Sequence, residues 1–262
     1  MTTSALSLEW TGDVATIRMN DPPSLNAVTL EMIEAFDRAL DEVRSRARAM
    51  ILTGAGKAFC SGANLSGGMG GDDADPETFD AGSSLDSHIN PLMTRLRDLP
   101  VPWISAVRGA AAGVGASLAL AGDLIIASDT AFFLQAFSRI GLVPDGGSSH
   151  LLVRTIGRPR AMELMLLGDR LPARTALEWG LINRMVPDDQ LDAAAMELAQ
   201  RLAGGARSLS LIRQLAWTAV DGDWSAALAS ERQLQRAAGR TADHREGVAA
   251  FLDKRAAKFE GR

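Results

Sequence analysis

One carboxylate, Asp145, sits in a turn punctuated by Pro144, Gly146 and Gly147, where the apolar stretch ending Ile140-Gly141-Leu142-Val143 gives way to a helical pattern. Two other Gly-rich turns, Ser61-Gly62-Ala63-Asn64-Leu65 and Gly109-Ala110-Ala111-Ala112-Gly113-Val114-Gly115, offer bare backbone N–H groups. A single acid facing two such donors is equipment for moving a proton beside a carbonyl, with the donors holding the enolate oxygen. Taken alone, each piece has a plainer reading. Asp145 suits the N-cap of the helix that follows it, and a Gly/Ala-rich helix start at Gly113–Leu120 suits close packing. Burial beside Phe137, Leu142 and Val143 would raise the pKa of Asp145, and a helix N-terminus would lower it, so the sequence leaves that sum unsigned.

The elements that must position these turns read as a mixed α/β chain. Leu6–Trp10 and Val14–Met19 alternate at period two around Thr11-Gly12-Asp13, which predicts a hairpin. Thr29 is placed to cap a helix running to about Arg46, with Met32, Ile33, Phe36, Leu40 and Val43 on one face. Ala49–Thr53, Val101–Val107 and Leu124–Ala127 read as buried strands. Residues 66–84, with five glycines and five acidic residues, form a long loop that suits a lid or plain surface slack. After Gly146 the pattern is almost wholly helical. Pro159 fits a first helical turn, Gly168 a stop after Leu167, and Leu181–Val186 a short strand. Helices are expected over 189–203, 208–220, 224–238 and 243–258.

Composition bounds the function. The 262 residues, 47% hydrophobic and 23% charged, are enough for one large core or a core with an appendage. A formal charge of −5 and a pI near 5.3 argue against a nucleic-acid partner, and no basic stripe with interleaved aromatics appears. Cys60 is the only cysteine, which excludes an intrachain disulfide and suits a cytoplasmic location. The first residues lack the basic and apolar regions of a signal peptide, and no apolar run is long enough to span a membrane. His88, His150 and His244 lack metal-ligand spacing, Asp123 reads as a structural turn residue, and Met162, Met165, Leu166 and the five tryptophans read as core and helix-face residues.

Taken together, six stretches resemble the crotonase (enoyl-CoA hydratase/isomerase) superfamily in its own order. They are Ser24-Leu25-Asn26-Ala27, Ala58–Leu65, Ala106–Leu120, Ala121-Gly122-Asp123-Leu124, Gly141–Gly147 and Glu246–Arg255. The resemblance implies an α/β crotonase-like spiral of ββα turns over 1–200 and a helical C-terminal trimerisation region over 201–262. It also implies an acyl-CoA thioester ligand, no cofactor or metal, and homotrimers that pair into hexamers. Ala63 and Val114 match the positions whose N–H groups form the oxyanion hole. Ser24, Leu25, Ala27, Ser61, Asn64 and Leu65 match positions that hold CoA, and Phe251 and Lys254 match C-terminal residues that cover it, often from a neighbouring subunit. Asn64 stands where Asp is usual, and its amide can still cap the turn.

The departures point to the reaction. The two glutamates with which family hydratases handle water correspond to Ser117 and Phe137, which with Leu142 fall in the acyl pocket. Asp145 matches the acid of family isomerases, including ring-opening phenylacetate-pathway isomerases, whose Phe-Ser-Gln-Ala-Phe stretch resembles Phe133–Phe137. The implied activity is an acyl-CoA isomerase shifting a double bond from the 3- to the 2-position. The alternatives are an enoyl-CoA hydratase, an aryl-CoA enzyme using Asp145 as a nucleophile, and a non-catalytic acyl-CoA-binding protein.

Overall fold

The computed structural model describes residues 5–64 and 80–262. Strands β1 (Leu6–Thr11) and β2 (Val14–Met19) form the expected hairpin, with Leu6 opposite Met19 and Thr11 opposite Val14. Thr29 opens helix α1 (Leu30–Arg46), its Oγ1 accepting from the Met32 N–H at 3.1 Å, and the apolar stripe predicted for that helix is buried. Strand β3 (Ala49–Gly54) follows. Its six residues are all buried, as a strand covered on both faces requires.

After the expected loop, most of which lies outside the described residues, one π-helical turn (Leu85–Ile89) runs into α2 (Asn90–Arg97). Next come β4 (Trp103–Val107), β5 (Ala110–Ala112), α3 (Val114–Leu120), β6 (Leu124–Ser128) and β7 (Phe132–Leu134). A 3-10 turn over Ala136–Ile140 leads to α4 (Ser148–Leu167), which breaks at Gly157 so that Pro159 falls in the first turn of its second half. Gly168, left-handed at φ 62°, ends α4 as expected. Then follow β8 (Arg170–Pro172), α5 (Ala173–Glu178), β9 (Arg184–Val186), α6 (Leu191–Ala203), α7 (Ser208–Asp221), α8 (Trp224–Ala238) and α9 (Ala242–Leu252).

The larger described sheet runs β1-β2-β3-β4-β6-β9, antiparallel only at the first pair. Alternation divides its side chains between two layers. Ile17, Met19, Met50, Leu52, Trp103 and Val107 enter a core with α1, while Val14, Ile51, Ile104 and Ile126 meet Leu191, Ala195 and Leu198 of α6. The smaller sheet, β5-β7-β8, sits beyond the C-terminal ends of β4 and β6 and carries the turns of interest.

Two expectations are corrected. Helix α9 stops at Leu252 and does not continue to Lys258. Lys254 turns left-handed (φ 53°), and the tail folds back onto the helix it leaves. Glu246 accepts from the Arg255 guanidinium and the Lys258 N–H, and the Asp243 carboxylate takes the N–H groups of Arg207, Glu260 and Gly261. These are tertiary bonds that a local helical period does not register. The three-residue strands β5, β7 and β8 are also additions, too short to show a period and held by their partners. Among the described residues no helix is long and apolar enough to cross a membrane.

Candidate active site

Two chain segments lie side by side at the heart of the site. The Cys60 N–H donates to the Ala110 carbonyl and the Ala112 N–H to the Cys60 carbonyl, both at 2.9 Å, which pairs Cys60 with Ala111 in parallel. The same offset brings Gly62 against Gly113 and carries Ala63 and Val114 to one end of the pair. A Cβ on Gly113 would sit 3.7 Å from the Gly62 Cα, and both glycines hold positive φ (52° and 112°). That proximity and backbone explain why neither position bears a side chain.

The direction of the two N–H groups follows from the pairing. Val28 donates to the Gly62 carbonyl at 2.8 Å and accepts from the Asn64 N–H at 2.9 Å. Bonds at 62 and 64 to one neighbour turn the Ala63 N–H to the opposite side, the side on which residues 110–112 lie. Val114 is the first residue of α3, so its N–H has no acceptor inside that helix. The Phe137 ring packs 3.8 Å from where a Cβ on Gly113 would stand.

Asp145 enters from the third segment. A Cβ on Gly146 would lie 2.8 Å from the Ser117 Cβ and 3.5 Å from a Val114 methyl, so the turn rests on the first turns of α3. Ser117 is fully buried, and its hydroxyl donates to the Asp145 main-chain carbonyl at 2.9 Å. The Asp145 side chain does not cap α4: Gly147 holds the N-cap position with no side-chain bond. Among the described residues the buried Oδ1 of Asp145 has no hydrogen-bond partner, and burial pushes its carboxyl up to about 6. The sum that the sequence left unsigned is therefore positive, since the carboxyl is desolvated and not engaged by the helix terminus.

The segment over Ser24–Val28 adjoins residues 61–64. The Ser61 N–H donates to the Leu25 carbonyl at 3.0 Å, the Ser61 hydroxyl to the Ser24 carbonyl at 2.9 Å, and the Ala27 N–H to the Ser24 Oγ at 3.1 Å. Leu25 and Asn26 are both left-handed at φ 58°, an uncommon state for non-glycine residues. The fully buried Asn26 amide holds this bend by donating to the carbonyls of Ala55 at 2.9 Å and Ala58 at 2.8 Å while its oxygen accepts from the Asp21 N–H. Its role was not apparent in the sequence, where it stood inside a matching stretch with no assignment.

Other expected residues fall elsewhere. Leu142 and Val143 are 41% and 80% exposed, so within one chain they do not keep Asp145 dry; Leu142 bonds through its N–H to the Phe137 carbonyl and turns outward. Phe251 is 83% exposed near the end of α9, and Lys254 follows it just past that end; Phe251 borders a groove shared with Gly247 and Phe259 and not the 24–28 bend. Leu65 lies outside the described residues. Asp123 is structural as expected, accepting from the Trp103 N–H at 2.9 Å and the buried Arg213 at 2.7 Å. Burial pushes the Cys60 thiol up to about 12, which removes it as a nucleophile. Among the described residues no group of His, Cys, Asp or Glu is placed to hold a metal.

A backbone cleft with two N–H groups and, among the described residues, one unpaired acid suits enolate chemistry. A family model described as enoyl-CoA hydratase/isomerase matches residues 9–262. The chain is 44% identical to the 1,2-epoxyphenylacetyl-CoA isomerase of Escherichia coli and 39% identical to a protein of Rhodobacter capsulatus named probable enoyl-CoA hydratase, each over 95% of both chains. It superposes on an enoyl-CoA hydratase from Polaromonas with a TM-score of 0.90 at 32% identity, covering 97% of this chain and 99% of that one. The chain belongs to the enoyl-CoA hydratase/isomerase family and has the crotonase-like α/β fold with a helical C-terminal region. It is an enzyme of that family, and the family binds acyl-CoA thioesters.

The raised carboxyl makes a signed prediction. Asp145 titrates near pH 6 folded against 3.8 for an ordinary aspartate, so it favours folding below the unfolded value and loses that contribution as pH rises through about 6. Asp145→Asn cannot ionise. The stability of wild type minus that of Asp145→Asn, from urea unfolding at stepped pH, is expected to fall between about pH 4 and 6 and then level off. A flat difference would place the carboxyl in water.

Proposed function

We propose that this enzyme is an acyl-CoA isomerase that moves a double bond from the 3- to the 2-position with Asp145 as its one acid–base group. The observation that carries this reading is the desolvated carboxyl of Asp145, whose Oδ1 has no hydrogen-bond partner among the described residues, on a turn packed against Val114. The segments that build the site, residues 58–64, 110–117 and 131–148, contain no other carboxylate.

The chemistry balances with these groups alone. Ionised Asp145 takes a proton from C2 of a 3-enoyl thioester, and the electron pair moves onto the thioester oxygen. The N–H groups of Ala63 and Val114 hold that dienolate oxygen; losing one such donor in comparable sites costs about 3–4 kcal/mol. The carbonyl re-forms as Asp145 returns the proton to C4, leaving the double bond between C2 and C3. No cofactor enters the sequence. A carboxyl shifted toward neutral pH suits both halves, since it must accept and then give up the same proton.

Ser24, Leu25, Ala27, Ser61, Asn64 and Leu65 are assigned to CoA, an assignment supported by the left-handed bend at Leu25–Asn26 and its bonds to Ser61. Phe251 and Lys254 are assigned to a neighbouring subunit's CoA, and residues 201–262 to trimer formation with pairing into hexamers, the core being 1–200. The outward faces support this: helix α8 buries none of its residues within the chain, and Trp224, Phe251 and Leu252 stand exposed.

Hydration tests the reading, because it requires one group to activate water and another to protonate C2. Ser117 and Phe137 supply neither. Wild type is expected to hydrate crotonyl-CoA at least ~100-fold more slowly than it isomerises 3-hexenoyl-CoA, as an absent acid–base group typically costs 10²–10⁴. Hydration at a comparable rate would overturn the single-base assignment. Sedimentation is expected to give a trimer or hexamer at micromolar concentration; a monomer would remove Phe251 and Lys254 from the site.

A further inference from the structure

Three donors converge on an atom that takes no part in the proposed proton transfer, the main-chain carbonyl oxygen of Asp145. The Ser117 hydroxyl reaches it from α3 at 2.9 Å, the Ser148 hydroxyl from the start of α4 at 2.9 Å, and the Ser148 N–H at 3.1 Å. Behind them the Ser148 Oγ lies 3.2 Å from the Gln135 side-chain amide. All three side chains are buried, Ser117 and Ser148 fully and Gln135 to 2% exposure. An ordinary turn would supply only the Ser148 N–H. The two hydroxyls are additional, and one comes from a different helix.

One hydroxyl proton serves one acceptor. The shorter contact, 2.9 Å, gives the Ser148 proton to the Asp145 carbonyl, and the Gln135 Oε1 stands 3.2 Å from the same Oγ as a second, longer acceptor. Gly146 closes the arrangement, because a Cβ there would meet the Ser117 Cβ at 2.8 Å and push the turn off its support.

We propose that Ser148, Ser117 and, behind them, Gln135 are positioning residues that grip the Asp145 turn by its main-chain carbonyl, fixing the carboxyl group while leaving its Oδ1 unpaired. The physical advantage lies in separating two tasks. An acid held by hydrogen bonds to its own oxygens has its ionised form stabilised and its proton affinity lowered. An acid held through the backbone keeps its proton affinity while the turn that carries it stays in place. Ser117 on α3 thus supports the acid on the neighbouring turn. The inference rests on the isomerase reading and deepens it.

The test uses Ser148→Ala, Ser117→Ala and the double variant in the full-length protein, assayed with 3-hexenoyl-CoA across pH 4.5–8.5. Each change only removes a buried hydroxyl. We expect kcat to fall about 10-fold in each single variant and about 100-fold in the double, the scale on which small misplacements act, with KM within about three-fold. The acidic limb of kcat/KM should move down from about 6 toward the ordinary carboxylate range as the loosened side chain reaches water. A merely structural role would lower the unfolding temperature and leave that limb in place. Unchanged kcat and an unchanged limb in the folded single variants overturn the proposal, and if Ser148→Ala fails to fold, Ser117→Ala decides it. Should wild type itself show no isomerisation and no limb near 6, the underlying reading fails instead, which separates the two.

Discussion

Two backbone hydrogen bonds, from Cys60 to Ala110 and from Ala112 back to Cys60, join segments 50 residues apart in sequence and set the geometry of everything at the site. Their register puts Gly62 on Gly113 and aligns Ala63 with the start of α3. The approach is close because small residues line it: a Cβ on Gly115 would meet the Cys60 carbonyl at 2.5 Å and the Cys60 Sγ at 2.7 Å. Helix α3 therefore starts against the Cys60 segment, and its first N–H is delivered to a fixed place. Loosening that contact would move both donors together.

The acid obeys a different constraint. Desolvation raises its pKa, which costs stability at neutral pH, and nothing in the described site offsets this with a hydrogen bond to Oδ1. A fold optimised for stability alone would pair or expose that carboxyl. The surrounding polar groups instead satisfy its carbonyl. Ile140, Leu142 and Val143, on the segment that leads into the Asp145 turn, stay exposed in the single chain and do not cover the acid.

Elements with a strong local period were legible in the sequence: the Leu6–Met19 hairpin, the Thr29-capped helix and strand β3 all fall within a residue or so of their expected bounds. The short strands β5, β7 and β8 were not, since three residues carry no period and their pairing partners lie far along the chain. The end of α9 was missed for a related reason, as Asp243 and Glu246 fold the tail back through bonds to residues up to 18 positions away. Asp145 and the two Gly-rich turns stood out from residue types, and their convergence from resemblance. The outward turn of Leu142 and Val143, the grip of Ser148 and Gln135, and the buried Asn26 amide depend on three-dimensional placement. Serine, glutamine and asparagine are too common in loops to announce such roles by type.

The most direct test of the central claim is single-turnover conversion of 3-hexenoyl-CoA by Asp145→Asn, with CoA-ester affinity measured on the same preparation by calorimetry. The amide keeps the size and shape of the side chain and removes its ability to carry the proton. The account predicts affinity within a few-fold of wild type and a chemical step slowed by at least ~100-fold. Conversion by Asp145→Asn at close to the wild-type rate would contradict it and move the acid–base function to another residue.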